Sequence, residues 1–265
     1  DLGARGPGVV MRRYRRRYDE IIDGLIAEAL ADPAFEERTD VLSLMLRARY
    51  EDGSPIPNRH VADELLTLLT AGHETTATTL AWAIERIRRH PDLLARLTEE
   101  VDAGGSELRQ ATIWEVQRVR PVIDGTSRRT LTRIRLGEWV IPKDHVVMVS
   151  IGLAHASAER FPDPAKFDPD RFIGAPPDSY TWIPFGGGIR RCIGAAFANM
   201  ELNVTLRTLL EQFTFVPTSA PGESYHSRGI AFAPAGGGRA VVYRRSTAGS
   251  SAATVSAGSV PGNTR

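Results

Sequence analysis

Thiols are nearly absent from this chain, since Cys192 is the only cysteine in 265 residues. An intramolecular disulfide is therefore excluded. Taken by itself, a single cysteine is most simply a small buried hydrophobe. Lysine is almost missing as well: Lys143 and Lys166 are the only two among 33 basic Lys and Arg side chains. Acidic residues number 32, so the net charge is only +1 and no global field favours nucleic acid or a membrane surface. No apolar run reaches the length of a transmembrane helix, and no signal peptide opens the chain. The first residues are Asp1-Leu2-Gly3 rather than Met, so an upstream part is expected to be missing and a lost anchor stays open.

What is present reads as soluble and globular, with 42% hydrophobic and 25% charged residues. Arg12, Arg13, Arg15, Arg16 and Arg17 cluster near the start. They read as the solvated face of a helix running to about Ala31, with a docking patch for an acidic partner as the alternative. A short helix is expected over Asp40–Arg49, before the turn residues Asp52-Gly53-Ser54-Pro55. No proline interrupts 58–90, and Val61, Leu65, Leu68, Gly72, Thr76, Leu80, Ala83 and Ile87 recur at helical spacing. Such a helix would span roughly 50 Å and is expected to be central, with Asn58 as its N-cap.

Further helices are expected at 92–103 and 107–120. The period then changes, and Thr130–Leu136, Trp139–Ile141 and His145–Val149 read as short strands. Residues 160–188 are rich in Pro, Asp and Gly and read as ordered coil, followed by a helix over 193–212. A hairpin is expected to pair 229–234 with 239–244 across Ala235-Gly236-Gly237-Gly238, and 246–265 should be disordered. Helices first and small strands later make a mostly α, α+β arrangement.

Three segments carry chemistry. In Phe185-Gly186-Gly187-Gly188-Ile189-Arg190-Arg191-Cys192-Ile193-Gly194, the lone thiol follows a glycine-rich loop at a helix start. Glycines allow tight turns and close approach to a bound group, and unpaired helix N–H groups suit a sulfur anion. Arg190 supplies a fixed cation nearby. The alternative is a glycine loop around a structural cysteine. Glu115 and Arg118 stand three apart on one helical face, which alone most often marks a solvated ion pair. Ala71-Gly72-His73-Glu74-Thr75-Thr76 sits midway along the long helix. A zinc-protease reading needs a second histidine where Ala77 stands, so it fails, and no Gly-x-Ser-x-Gly elbow supports a hydrolase. Gly72 beside the Thr75 hydroxyl makes a notch, unless Thr75 simply bonds back to the Ala71 carbonyl and Glu74 faces water.

The cysteine segment resembles the cytochrome P-450 signature Phe-x-x-Gly-x-Arg-x-Cys-x-Gly at every specified position. The other segments resemble that family's Glu-x-x-Arg and oxygen-binding motifs, with Pro169-Asp170-Arg171-Phe172 in the place of its Pro-x-Arg-Phe. The tract from Trp182 to Phe197 looks like bacterial, especially actinobacterial, members. The resemblance implies a cytochrome P-450 fold, C-terminal part: long central helix, helical bundle, small β-sheet and cysteine-ligand loop over 1–245. It implies haem b (iron protoporphyrin IX) with Cys192 as axial iron ligand, Arg190 and Arg128 (or Arg129) on the propionates, and Phe185 shielding the sulfur. Gly186 and Gly194 complete the cofactor loop. Glu74 and Thr75 would be the catalytic proton relay, and Glu115, Arg118 and Arg171 a structural network. Leu68, Ala71, Val122, Ile123 and Ile230 would face an apolar substrate.

The implied activity is a cytoplasmic monooxygenase that uses O2 and electrons from NAD(P)H, passed through a ferredoxin and its reductase. Family members carry a substantial region before the long helix that is not matched here. The chain is then a fragment or a truncated gene product, and an inactive haem-binding remnant is the alternative function. A haem-based sensor is a more distant third.

Overall fold

The computed structural model describes residues 7–245. The tail expected at 246–265 lies outside the described residues. Two compact units divide the chain, one ending at Ala77 and one beginning at Thr78.

The first unit holds α1 (Pro7–Ala31), a short 3-10 turn (Phe35–Glu37), α2 (Val41–Arg47) and the first part of α3 (Asn58–Ile87). Asp40 caps α2 by accepting from the Ser43 N–H at 3.0 Å. A small core of Ile22, Ile26 and Ala62 forms where α1 meets α3, and the Tyr18 hydroxyl donates to the Ala62 carbonyl at 2.7 Å. Arg12, Arg13, Arg16 and Arg17 are exposed, while Arg15 pairs with Asp19 and Asp63 at 2.6 Å each. The arginine cluster is thus the outer face of α1. Asn58 stands inside α3 as its first residue rather than capping it.

The second unit contains the end of α3, α4 (Pro91–Asp102), α5 (Glu107–Val119), α6 (Ile151–His155) and α7 (Ala195–Gln212). Proline opens α4, where its missing N–H costs no bond, and Leu93, Leu94, Leu97 and Val101 turn one face inward. They meet Leu202, Leu206 and Leu210, one turn apart on α7, and Ile113 and Val116 of α5. Fully burying each such side chain contributes about 1.5–3 kcal/mol. The orphan amides at the start of α5 are satisfied from outside the helix. The Glu100 carboxylate accepts from Leu108 N–H at 2.6 Å and from Arg109 N–H at 3.0 Å. A second cluster of Ala111, Phe161, Phe172 and Trp182 covers another face of α5. This helix is therefore buried nearly all round.

Among the described residues, strands occur as four antiparallel pairs. β1 (Gly125–Arg129) pairs with β4 (Val146–Ser150), and β2 (Ile134–Leu136) with β3 (Trp139–Ile141). β5 (Phe213–Phe215) pairs with β8 (Val242–Arg244), and β6 (Tyr225–Arg228) with β7 (Ala231–Pro234). The mostly α architecture with small sheets agrees with expectation.

Several details correct it. The strand expected from Thr130 starts only at Ile134, because the Thr130 hydroxyl turns to the Pro142 carbonyl at 2.7 Å and receives the His145 N–H at 2.9 Å. The expected hairpin across 235–238 does not form. β7 pairs backward with β6 around Gly229, whose φ of 78° a side chain rarely adopts, and β8 leaves to join β5. Gly237 and Gly238, at φ of 76° and 65°, steer the chain between these pairs.

Gly238 also touches α3, since a Cβ there would stand 2.5 Å from the Ala81 carbonyl oxygen. Gly238→Ala combines a left-handed backbone with a clash against main chain. It should lower stability by at least ~2 kcal/mol, read as a fall in the urea midpoint at unchanged slope.

Candidate active site

The Glu115 and Arg118 side chains lie one helical turn apart inside the second unit, with residue exposures of 0% and 2%. Arg118 Nε and Nη2 each donate to the Glu115 carboxylate at 2.7 Å, a bidentate fork. The remaining guanidinium N–H groups reach main-chain carbonyls: Nη1 donates to His155 at 3.0 Å and Pro164 at 2.9 Å, and Nη2 to Lys166 at 3.0 Å. Glu115 also accepts from the Asp168 N–H at 2.9 Å and from Arg171 Nε at 3.2 Å. Arg171 belongs to the short 3-10 turn Pro169–Phe172, which buries Phe172 against the aromatic cluster. The Phe161 ring faces the Arg118 guanidinium with 5.2 Å to its centroid. The pair is no solvated surface bridge. It pins the irregular segment 155–171 to α5.

His155 was not singled out by sequence, because a lone histidine after a short apolar run carries no pattern. It ends α6, is 1% exposed, and its Nδ1 lies 3.1 Å from the Arg118 carbonyl. Burial pushes its imidazolium pKa down to about 4, with the nearby Arg118 charge acting in the same direction.

The loop before α7 presents Cys192 at the surface. Gly186 and Gly188 adopt φ of 69° and 64°, and a Cβ at Gly186, Gly187 or Gly188 would meet nothing within 4 Å. Space therefore remains along the loop's outer side. The Cys192 N–H donates to the Phe185 carbonyl at 2.9 Å, closing the loop, and Gly194 is the N-cap of α7. The Phe185 ring packs edge-on against Trp182 at 6.0 Å. Arg190 sits exposed on the 3-10 turn Gly188–Arg190, and among the described residues it has no acidic partner. Arg128 is exposed on β1, and its side chain donates to the neighbouring Thr126 hydroxyl and Ser127 carbonyl at 2.8 Å. Arg129 is committed to Asp144 at 2.6 Å.

Glu74 and Thr75 belong to the part of α3 in the first unit. The Thr75 hydroxyl donates to the Ala71 carbonyl at 2.7 Å, and a Cβ at Gly72 would meet nothing within 4 Å. The notch and the back-bonded hydroxyl thus coexist, and Glu74 is half-buried. The five residues expected to face substrate are not alike. Leu68 and Ala71 are exposed on α3, Val122 is buried in the large core with Ile123 packed beside it, and Ile230 is exposed at the β6–β7 turn.

Residues 8–238 match the family model for Cytochrome P450. The chain belongs to the cytochrome P-450 family. A cytochrome P-450 138 of Mycobacterium tuberculosis is 56% identical over 246 residues, covering 92% of this chain and 56% of that protein. A cytochrome P-450 135B1 from the same species is 41% identical over 236 residues, covering 86% of this chain and 50% of that protein. These mycobacterial relatives make the chain a cytochrome P-450 of actinobacterial type, spanning about half the length of the curated relatives it matches. A crystal structure of the cytochrome P-450 CYP102L1 superposes with a TM-score of 0.76 at 26% identity, over 92% of this chain and 60% of that one. Retinoic acid-bound cyanobacterial CYP120A1 gives a TM-score of 0.74 at 27% identity, over 90% of this chain and 57% of that one. The fold is thus the cytochrome P-450 fold in part.

The His155 shift has a consequence for this cytochrome P-450 chain. Unfolding restores an ordinary imidazole near 6.5, so on acidification the unfolded state takes up a proton before the folded state does. Stability at neutral pH should decline as pH falls from about 6.5 to about 4, by about 3 kcal/mol from this residue. Urea midpoints measured across that window should slope for the natural chain and slope less for His155→Gln.

Proposed function

We propose that this chain is the C-terminal, haem-binding portion of a monooxygenase, with the Cys192 thiolate as axial ligand to the iron of haem b. The observation that carries the reading is the presentation of the only cysteine. It stands exposed at the end of a glycine loop, with open space beside it and, two residues away, a guanidinium with no acidic partner among the described residues. These residues fit an anionic, flat, iron-bearing group. Arg190 and Arg128, neither held by a carboxylate among the described residues, would neutralise its propionates, whereas Arg129 is already paired. Gly186 and Gly194 keep side chains away from the sulfur's approach, and Phe185 would cover its other side.

When bound, haem supplies the redox chemistry of oxygen activation, and thiolate donation favours O–O cleavage. The chain's own part is orientation and proton supply. Glu74 and Thr75 would form a relay: a carboxylic acid passes a proton to a neighbouring alcohol, which passes on its own. The Thr75 hydroxyl first has to rotate away from the Ala71 carbonyl that now receives its hydrogen. Gly72 leaves room for that motion. Leu68, Ala71, Val122, Ile123 and Ile230 are the candidates for contact with a small apolar substrate. Electrons would come from a ferredoxin and ferredoxin reductase drawing on NAD(P)H, in the cytoplasm. The expected span of this portion is 1–245.

The test is haem reconstitution of the full chain, followed by a reduced, carbon monoxide-treated difference spectrum. A thiolate-type Soret band that disappears in Cys192→Ala is the expected result. No haem uptake, or a spectrum unchanged by that substitution, contradicts the reading; the first favours a remnant that does not hold haem.

A further inference from the structure

His155 makes bonds to two separate pieces of the second unit, and neither bond is explained by core packing. Its Nδ1 faces the Arg118 carbonyl at 3.1 Å, so that nitrogen carries the proton and donates. Its Nε2 is then an acceptor, and the Ile183 N–H donates to it at 2.9 Å. The backbone of the same residue is held too, since its carbonyl receives Arg118 Nη1 at 3.0 Å. The residue is thereby held at both ends of one arginine, its ring by the main-chain carbonyl and its own carbonyl by the guanidinium, and the far ring nitrogen faces Ile183. An edge-on contact with Phe161, 6.1 Å between ring centres, fixes the plane of the ring.

Ile183 is the foot of the cysteine loop. Its carbonyl accepts the Gly186 N–H at 2.9 Å, forming the turn that starts the glycine stretch. Two residues beyond Ile183, the Phe185 carbonyl accepts the Cys192 N–H at 2.9 Å. A continuous path of hydrogen bonds and short chain segments therefore runs from the buried Glu115–Arg118 pair through His155 to the thiol. The loop between has no regular secondary structure beyond one 3-10 turn to hold it. A main-chain amide and a main-chain carbonyl cannot bond each other across this gap at both ends. A neutral imidazole can, because it donates from one side and accepts on the other with only two torsions to fix.

We propose that His155 is a positioning residue for Cys192, tying the foot of the cysteine loop to the buried Glu115–Arg118 pair. The role rests on the reading of Cys192 as the iron ligand, because only a ligand needs its place so fixed. His155 itself touches neither the sulfur nor any reacting atom.

Residue-resolved amide hydrogen exchange on the full chain without haem tests this, so the result does not depend on whether haem binds. In His155→Leu the amides of Ile183, Gly186 and Cys192 should all exchange roughly tenfold faster, the factor carried by one net hydrogen bond. The α5 amides of Ile113 and Val116 should keep their rates. His155→Gln places an amide oxygen near the former Nε2 and should restore slow exchange at all three loop positions. Ile183→Pro removes the donor with the histidine intact, and it should speed Cys192 exchange even if His155→Leu does not fold. Acceleration at Ile183 alone, with Cys192 unchanged, would overturn the proposal. So would equal acceleration in α5, which marks a general core residue, or failure of His155→Gln to rescue.

Discussion

A buried guanidinium beside a buried carboxylate is costly unless every donor and acceptor finds a partner. Arg118 and Glu115 meet that condition with main-chain groups from residues far along the chain: the carbonyls of His155, Pro164 and Lys166 and the N–H of Asp168. The requirement therefore sets a path. A stretch with little regular structure must pass within bonding distance of one helix face, at four successive places. Phe161 and Phe172 then pack between those places, and Arg171 closes the network by adding a second cation to Glu115. Charge satisfaction, rather than secondary structure, shapes this part of the fold.

The cysteine loop inherits its position from that segment. Trp182 buries its ring in the aromatic cluster and donates its indole N–H to the Trp114 carbonyl on α5 at 3.1 Å. Phe185 follows it, and the glycines then carry the chain outward until α7 begins. One end of the loop is thus anchored on α5, and the other continues into a helix whose Leu202, Leu206 and Leu210 are core. Between two fixed ends, the thiol is left at the surface rather than packed away. A small buried hydrophobe, the simplest reading of a lone cysteine, does not describe this one.

Much of this is legible in the sequence, for identifiable reasons. Long helices announce themselves by periodicity and breakers, so α3, α4, α5 and α7 begin and end within a few residues of expectation. The spacing of Glu115 and Arg118 alone points to a solvated pair, and only the family resemblance of the motifs implies the network with Arg171. β1 was missed because Gly-Thr-Ser-Arg-Arg shows no alternation, and its pairing with β4 is decided by tertiary context. α6 is a single short turn capped by Ser150, too brief for a helical stripe. The final hairpin went wrong because three glycines marked a turn but not which strands it separates. His155 stayed hidden because its partners are backbone groups, which leave no trace in side-chain identity.

A double-substitution cycle at the buried pair tests the account most directly. Glu115→Met and Arg118→Met each strand a partner in the interior and should each lower unfolding free energy by roughly 3–5 kcal/mol. The double variant leaves neither member of the pair facing an absent partner, although Arg171 and four main-chain groups still lose theirs, so its loss should fall well short of the sum of the two single losses, giving a clear coupling energy. Losses that simply add, with the double variant as weak as the sum of the two, would mean that the pair is not the constraint on which this part of the fold depends.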